Sequence, residues 1–414
     1  MNPRRGDSRQ PGHGEERMDA VKESVLKRIE DSRDEAIELL AELVKAESVN
    51  PPGDTRNAVE VITRRAGTFT ENVEVVSCDE TIPNVFVTLN PGGRPQLLYN
   101  GHLDTVPIGD ETNWDVDPLG AVIKENMMYG RGVADMKGGV AAMLMAAKAL
   151  AVEKVPLKGS LVLSFVGDEE TGAAKGAGYL MEKGHYSPDM VVVGEITNDS
   201  RIAIAEKGIS VYVLTTKGRT AHGSTPWVGV NAIDKMVKIL HRLQATLVPA
   251  LGRRDSGFLP PATMNIGTIK GGVSFNVVAD TCEVVIDRRT LPGETIEGIT
   301  REIQDVVDQV KQEDPEVDAS LVQLVAAPPF ETSPDEEICR LAKETMEELG
   351  RPSDFLGYEQ VCDGRIFSEK GIPTIIIGPG TAKKAHTPNE SLELDQYLDA
   401  IKVYALLAMN AVGQ

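Results

Sequence analysis

The chain has 414 residues, 41% hydrophobic and 26% charged, enough at roughly 100–200 residues per domain for two or three domains with a sizeable buried core. Lys+Arg 43 against Asp+Glu 63 gives a net charge of −20, which argues against a nucleic-acid or anionic-membrane binder, since both need a basic footprint. No apolar run approaches the ~18 residues of a bilayer span. Cys78, Cys282, Cys339 and Cys362 are scattered with no CxxC pair, so neither a disulfide scaffold nor a thiolate zinc site is expected, and a reducing cytoplasmic setting fits.

Residues 1–20 are polar, with Pro, Gly and charges and no apolar h-region; they read as a disordered tail rather than a secretory signal, with His13 a solvated tail residue. From 21 to 45 the apolar residues Val25, Ile29, Ile37, Leu40 and Val44 recur at helical spacing, predicting one or two amphipathic helices. Asn50-Pro51-Pro52-Gly53 then breaks the chain, a helix follows through Val59 and Ile62, and short strands are expected at 72–76 and 84–89. Runs at 97–99, 161–166, 190–193 and 374–377 are almost continuously apolar, with helical patterns at 138–150 and 177–183 between them. Such strands are buried on both faces, so a largely parallel sheet flanked by helices is expected. A helix at 394–412 closes this domain.

Between 208 and 326 the order changes to strand (209–216), helix (231–243), strand (262–269), strand (281–287), helix (295–310), strand (318–325). That βαββαβ order is ferredoxin-like. The expected fold is therefore α/β, with a catalytic domain in two pieces, 21–207 and 327–414, around an inserted domain at 208–326.

The polar residues gather where the buried strands end. Asn100-Gly101-His102-Leu103-Asp104 follows the first, Gly167-Asp168-Glu169-Glu170 the second, Gly194-Glu195 the third, and Ala385-His386-Thr387-Pro388 lies beyond the fourth. Ligands of open α/β sheets bind at the carboxyl ends of the strands. Gly130-Arg131-Gly132-Val133-Ala134-Asp135 adds an acid in a glycine-rich turn before a helix. Histidine and carboxylate ligands without cysteine suit Zn²⁺, with Co²⁺ or Mn²⁺ as alternatives, and a carboxylate is the natural bridge between two ions. Asp104 is placed to take a proton from the second nitrogen of His102. Of the adjacent Glu169 and Glu170, one can ligate while the other serves as a base.

The motifs GHLDTVP (101–107), GRGVADMKGG (130–139), GDEETG (167–172), GEIT (194–197), TAHGSTP (220–226) and AHTPNE (385–390), in this order, resemble the M20 family of zinc peptidases and deacylases. The resemblance runs from about residue 25 to the end. It implies that His102 and Glu195 hold one zinc, Glu170 and His386 the other, and Asp135 bridges them. It also implies Asp104 as the orienter of His102, Glu169 as general base, and a cis peptide after Asp135. The family's usual Gly-Glu-Pro-Thr has Ile196 in place of proline here.

In the inserted domain the resemblance makes His222 the oxyanion-stabilising histidine that reaches a neighbouring subunit, and hence implies a homodimer through this domain. Asn276 and Arg289 become substrate-gripping residues, with Arg289 clamping a carboxylate through its forked donors. Arg365 is a further candidate. Arg288 is adjacent to Arg289, but strand alternation puts only one of them on the cleft face. The implied function is a two-zinc amide hydrolase acting on a small molecule. Removal of an acyl group from an N-acyl amino acid is favoured, over a dipeptidase or carboxypeptidase acting on a short peptide and over a hydrolase of other amides or carbamoyl groups. His185 and His241 match no motif and read as structural or exposed; Met143 and Met145 read as core; Trp114 is expected near the cleft mouth.

Overall fold

The computed structural model describes residues 13–414, with side chains placed from residue 18 onward. The described residues separate into two units: those up to Ile202 with Asp335–Asp354 and Lys370–Gln414, and Ala203–Pro334 with Phe355–Glu369. The second unit thus extends beyond the expected 208–326 on both sides and also takes in 355–369.

In the first unit six strands lie in the order Val73–Val76, Asn84–Leu89, Ser160–Val166, Gln96–His102, Met190–Val193, Thr374–Ile376. The first two pair antiparallel and the second joins Ser160–Val166 antiparallel, while the remaining neighbours run parallel. The parallel strands are the continuously apolar ones. Ser160–Val166 and Met190–Val193 are buried at every position, as a sheet covered on both faces requires. Three short strands, Val122–Lys124, Met127–Tyr129 and Ser391–Glu393, form a small antiparallel sheet that hydrophobic patterning did not reveal. They are too short to establish a period.

Helix Gly138–Val152 is buried along nearly its whole length and packs against helix Leu394–Val412. Its first residues explain the paired glycines. A Cβ on Gly139 would stand 2.2 Å from the carbonyl oxygen of Gly194, and one on Gly138 2.5 Å from Leu392. The helix start therefore sits directly against the turn that carries Glu195.

The first helix spans His13–Asp31, so the chain is helical before residue 21, where the tail was expected to end. Buried Val25 and Ile29, with Lys22–Glu348 and Arg28–Glu153 ion pairs, hold it to the unit. Residues 1–12 and the side chain of His13 lie outside the described residues.

The second unit contains a four-stranded antiparallel sheet, ordered Thr263–Gly271, Thr281–Thr290, Gly208–Lys217, Asp318–Ala327. Helices Ala232–Arg242 and Ile296–Glu313 supply apolar residues to the same core. Tyr212, Leu214, Val284 and Ile286 meet Met236, Ile239, Ile303 and Val307 there. Gly208–Lys217 alternates buried and half-buried positions, as expected of strands covered on one face only. The order and direction are those of a ferredoxin-like split βαββαβ unit. Asn231 and Thr295 cap the two helices by accepting main-chain N–H bonds from Ile233 and Gly298.

Candidate metal centre

The expected ligands converge within the first unit. His102 ends strand Gln96–His102 and is 1% exposed. Asp135 lies in the turn Val133–Lys137, where its φ of −112° and ψ of 96° are not helical, and the Asp135–Met136 peptide is cis. Glu169 and Glu170 form a short turn after Ser160–Val166, Glu195 follows Met190–Val193, and His386 adopts a φ of 58° in the loop after Ala382–Lys384.

Asp135 stands between the two imidazoles: Oδ1 is 3.2 Å from His102 Nε2 and Oδ2 is 3.2 Å from His386 Nε2. On the His102 side, Glu195 Oε1 lies 3.2 Å from Nε2 and Glu169 Oε2 4.0 Å. On the His386 side, Glu170 Oε2 lies 3.4 Å from Nε2. Ligand atoms of His102, Asp135 and Glu170 all fall within 4.8 Å of one another. Two atoms each about 2.0–2.1 Å from a tetrahedral zinc stand roughly 3.3 Å apart, so the observed spacings are those of ligands that share an ion. Glu170 Oε1 is buried and has no hydrogen-bond partner among the described residues. The donor set, imidazole and carboxylate with no thiolate, fits zinc or a similar divalent ion.

The electrostatics agree. Burial pushes the His102 imidazole towards neutrality, but the Asp135 and Glu195 carboxylates outweigh it and hold its pKa well above the ordinary value. Asp135 and Glu170 raise that of His386 to about 10. Burial, with Asp135 close by, pushes the Glu195 carboxyl up. Four carboxylates around two imidazoles leave excess negative charge in a site that is buried on the His102 and Glu195 side and open on the His386 side, and a cation would relieve it.

Asp104 is fully buried, but its carboxylate does not make the closest contact with His102. Nδ1 lies 2.9 Å from the main-chain oxygen of Asp104 and 3.6 Å from its carboxylate. The carboxylate accepts N–H bonds from Glu169 and Glu170, each 3.2 Å, and one from Asn50 Nδ2 at 2.8 Å. The expected orienter of the imidazole thus acts on the Glu169–Glu170 turn, while a main-chain carbonyl sets the tautomer that leaves Nε2 to face the ligands.

The remaining candidates belong to the second unit. His222 is exposed, with Nδ1 2.7 Å from Ser224 Oγ, and the Gly223 N–H donates to the main-chain oxygen of Asn276. These two loops are therefore held together. Arg289 is half-buried and paired with Asp287 at 3.0 Å, whereas Arg288 is fully buried and paired with Glu294. Only Arg289 is on the face away from the core. Arg365 is half-buried in the short helix Gly364–Ser368. His185 and His241 are exposed, and Met143 and Met145 are core. Trp114 is 9% exposed, with the Arg131 guanidinium 5.2 Å from its ring.

Sequence reading assigned no role to Asn50, which donates to Asp104 and to Thr171, or to Glu390, which holds the Asp135 turn. Glu390 was visible only as the last letter of a motif. Asn50 was visible only as part of a turn.

The sequence profile of peptidase family M20/M25/M40 matches residues 98–410. The chain belongs to that family and is a hydrolase of amide bonds. It is 32% identical over 368 residues to an acetylornithine deacetylase from Salmonella paratyphi B, covering 86% of this chain and 92% of that one. Among solved structures it is similar in fold to aminopeptidase PepT from Bacillus cereus, with a TM-score of 0.76 at 23% identity over 92% of this chain and 98% of that one. It also resembles the YXEP protein of Bacillus subtilis, described as a dinuclear metal binding peptidase, with a TM-score of 0.69 at 18% identity over 92% and 98%. Among the described residues no helix is long and apolar enough to cross a membrane.

Proposed function

We propose that this chain removes the acyl group from an N-acyl amino acid, with two divalent cations, zinc in the first instance, held by His102, Asp135, Glu170, Glu195 and His386. One observation carries the reading: Asp135 turns one carboxylate oxygen to each imidazole, in a chain 32% identical over 86% of its length to an acetylornithine deacetylase. The description of the Bacillus subtilis relative as dinuclear supports the ion count.

Bound there, such a pair would polarise the amide carbonyl and lower the pKa of a water molecule towards ~7. Glu169, at the edge of the ligand cluster, takes a proton from the water that attacks the acyl carbonyl. It then hands that proton to the departing amine. Asp104 keeps Glu169 and Glu170 at their station through their main-chain N–H groups. His222 from a second copy stabilises the oxyanion, Arg289 clamps the substrate carboxylate, and Asn276 and Arg365 contact the rest of the substrate.

Dimerisation through the second unit is part of this reading. Its support is the exposure of Phe275 (100%), Val273 (87%) and Trp227 (76%), on the same two loops as His222 and Asn276, since apolar groups so exposed suit a protein interface. No cysteine is in a disulfide among the described residues, which suits a cytoplasmic setting.

The test is amine release by the zinc-loaded chain from N-acetyl, N-succinyl and N-carbamoyl amino acids and from dipeptides, with Glu169→Ala as blank. Cleavage of acyl amino acids but not dipeptides supports the proposal. Cleavage of dipeptides alone would replace it with a peptidase, and cleavage of carbamoyl compounds alone with a carbamoylase.

A further inference from the structure

Glu390 is 0% exposed, and its carboxylate collects four N–H donors. Oε1 accepts from the main-chain N–H groups of Ala134 (2.9 Å) and Asp135 (3.1 Å). Oε2 accepts from the Gly132 N–H (3.1 Å) and from Arg131 Nη1 (2.7 Å). Its main-chain oxygen also accepts from the Gly130 N–H at 3.0 Å. The turn leading to Asp135 needs such an acceptor. Gly132 has a φ of 80°, and Asp135 and Met136 depart from helical angles, so this stretch lacks regular helical partners for its N–H groups.

The residue that fixes this turn also belongs to the loop that delivers His386. Arg131 Nη1 donates to the main-chain oxygen of Thr387 at 3.3 Å, beside His386. Asp135 Oδ2 and His386 Nε2, 3.2 Å apart, are therefore carried by two segments that meet at the buried Glu390 carboxylate.

We propose that Glu390 is a positioning residue of the metal centre: it locks the bridging Asp135 to His386 and so sets the affinity of the ion that Asp135, Glu170 and His386 would share. This rests on the two-ion reading above. Groups that orient metal ligands typically contribute 10- to 100-fold to metal affinity. Gln at this position keeps the volume but turns an NH₂ group towards N–H donors. Asp keeps the charge but is one methylene short.

The test is titration of the metal-free chain with Co²⁺, followed by calorimetry and by visible absorption. The unaltered chain is expected to take up two ions. Glu390→Gln is expected to bind one of them about 10- to 100-fold more weakly, with a changed visible spectrum and the other ion little affected. Glu390→Asp should recover part of the loss. Wild-type affinities and spectrum in Glu390→Gln, even with a lowered melting temperature, would reduce Glu390 to a structural residue and overturn the proposal. If Glu390→Gln does not fold, the same titration of Glu390→Asp decides: weakened uptake of one ion supports the proposal, and unchanged uptake overturns it. An unaltered chain that binds fewer than two Co²⁺ would sink the two-ion reading itself, and the proposal with it.

Discussion

Glu169 and Glu170 are neighbours in sequence, yet Glu170 points at His386 and Glu169 stands on the His102 side. In the proposed function that difference separates a base from a ligand. Glu169→Ala is expected to lower kcat by about 10²–10⁴-fold, the usual contribution of a general base, while zinc content by atomic absorption stays that of the unaltered chain. Loss of zinc together with activity would make Glu169 a ligand instead. Asp104 acts through three hydrogen bonds to its carboxylate. Asp104→Ala leaves those buried donors unpaired, and at about 1–3 kcal/mol for each such group a clear fall in the urea midpoint is expected. A third residue gives a pH signature. Lys235 and Lys238 donate to Asp314 and hold its carboxyl at about 2. Because the folded value lies below the unfolded one of about 3.9, this stabilisation is complete above pH ~4 and is lost as pH falls from there towards 2. Asp314→Asn should flatten that part of the stability profile of the second unit, as followed by urea melts across pH 2–5.

Helices and strands place these residues by close approach of main chains. Gly139, one residue into helix Gly138–Val152, touches the carbonyl of Gly194, beside Glu195. Gly378 stands equally close to that turn, where a Cβ would meet the carbonyl oxygens of Glu195 and Gly194 at 2.3 Å. Neither obstacle is a side chain that can swing away. Gly139→Ala is therefore expected to cost about 1–3 kcal/mol, the range for overpacking a filled core. It should also weaken zinc binding through Glu195. An alanine variant with unchanged stability would mean that the helix shifts easily and that the contact does not position the ligand. The sequence pattern located these elements well, because continuous apolar runs and helical spacing report burial directly. It missed the three short strands: Val122–Lys124 and Met127–Tyr129 form a hairpin too short to show a period, and Ser391–Glu393 joins it from more than 250 positions away.

For the whole molecule the proposed two-ion centre predicts that metal and fold are linked. The excess of carboxylates in the centre, with Glu195 buried and Asp135, Glu169 and Glu170 half-buried, is expected to be unfavourable until a cation joins it. Chelation should lower the melting temperature of the first unit, and zinc should restore it; an ion at 100 times its Kd contributes about 2.7 kcal/mol. An unchanged melting curve after metal removal, confirmed by atomic absorption, would contradict this. The proposed dimer has its own test. Glu169→Ala and His222→Ala, each inactive alone, should regain part of the activity when mixed and allowed to exchange subunits, because one mixed site has both residues intact. No recovery, with mixed dimers shown by mass spectrometry, would place His222 in its own subunit's site.

The sequence by itself determined the family, the parallel sheet, the ferredoxin-like order of strands and helices and the set of candidate ligands. Each of these is written in local patterning: burial fixes which residues are apolar, and strand ends collect the chemistry. What only the tertiary structure decided is which atom answers which. The Asp104 carboxylate holds a glutamate turn while its main-chain carbonyl holds the imidazole. Asn50 braces Asp104, and Glu390 clasps the Asp135 turn to the His386 loop. These contacts run largely through main-chain N–H groups, which every residue but proline carries, so no residue type in the sequence announces them. They exist only once distant segments have been packed into place.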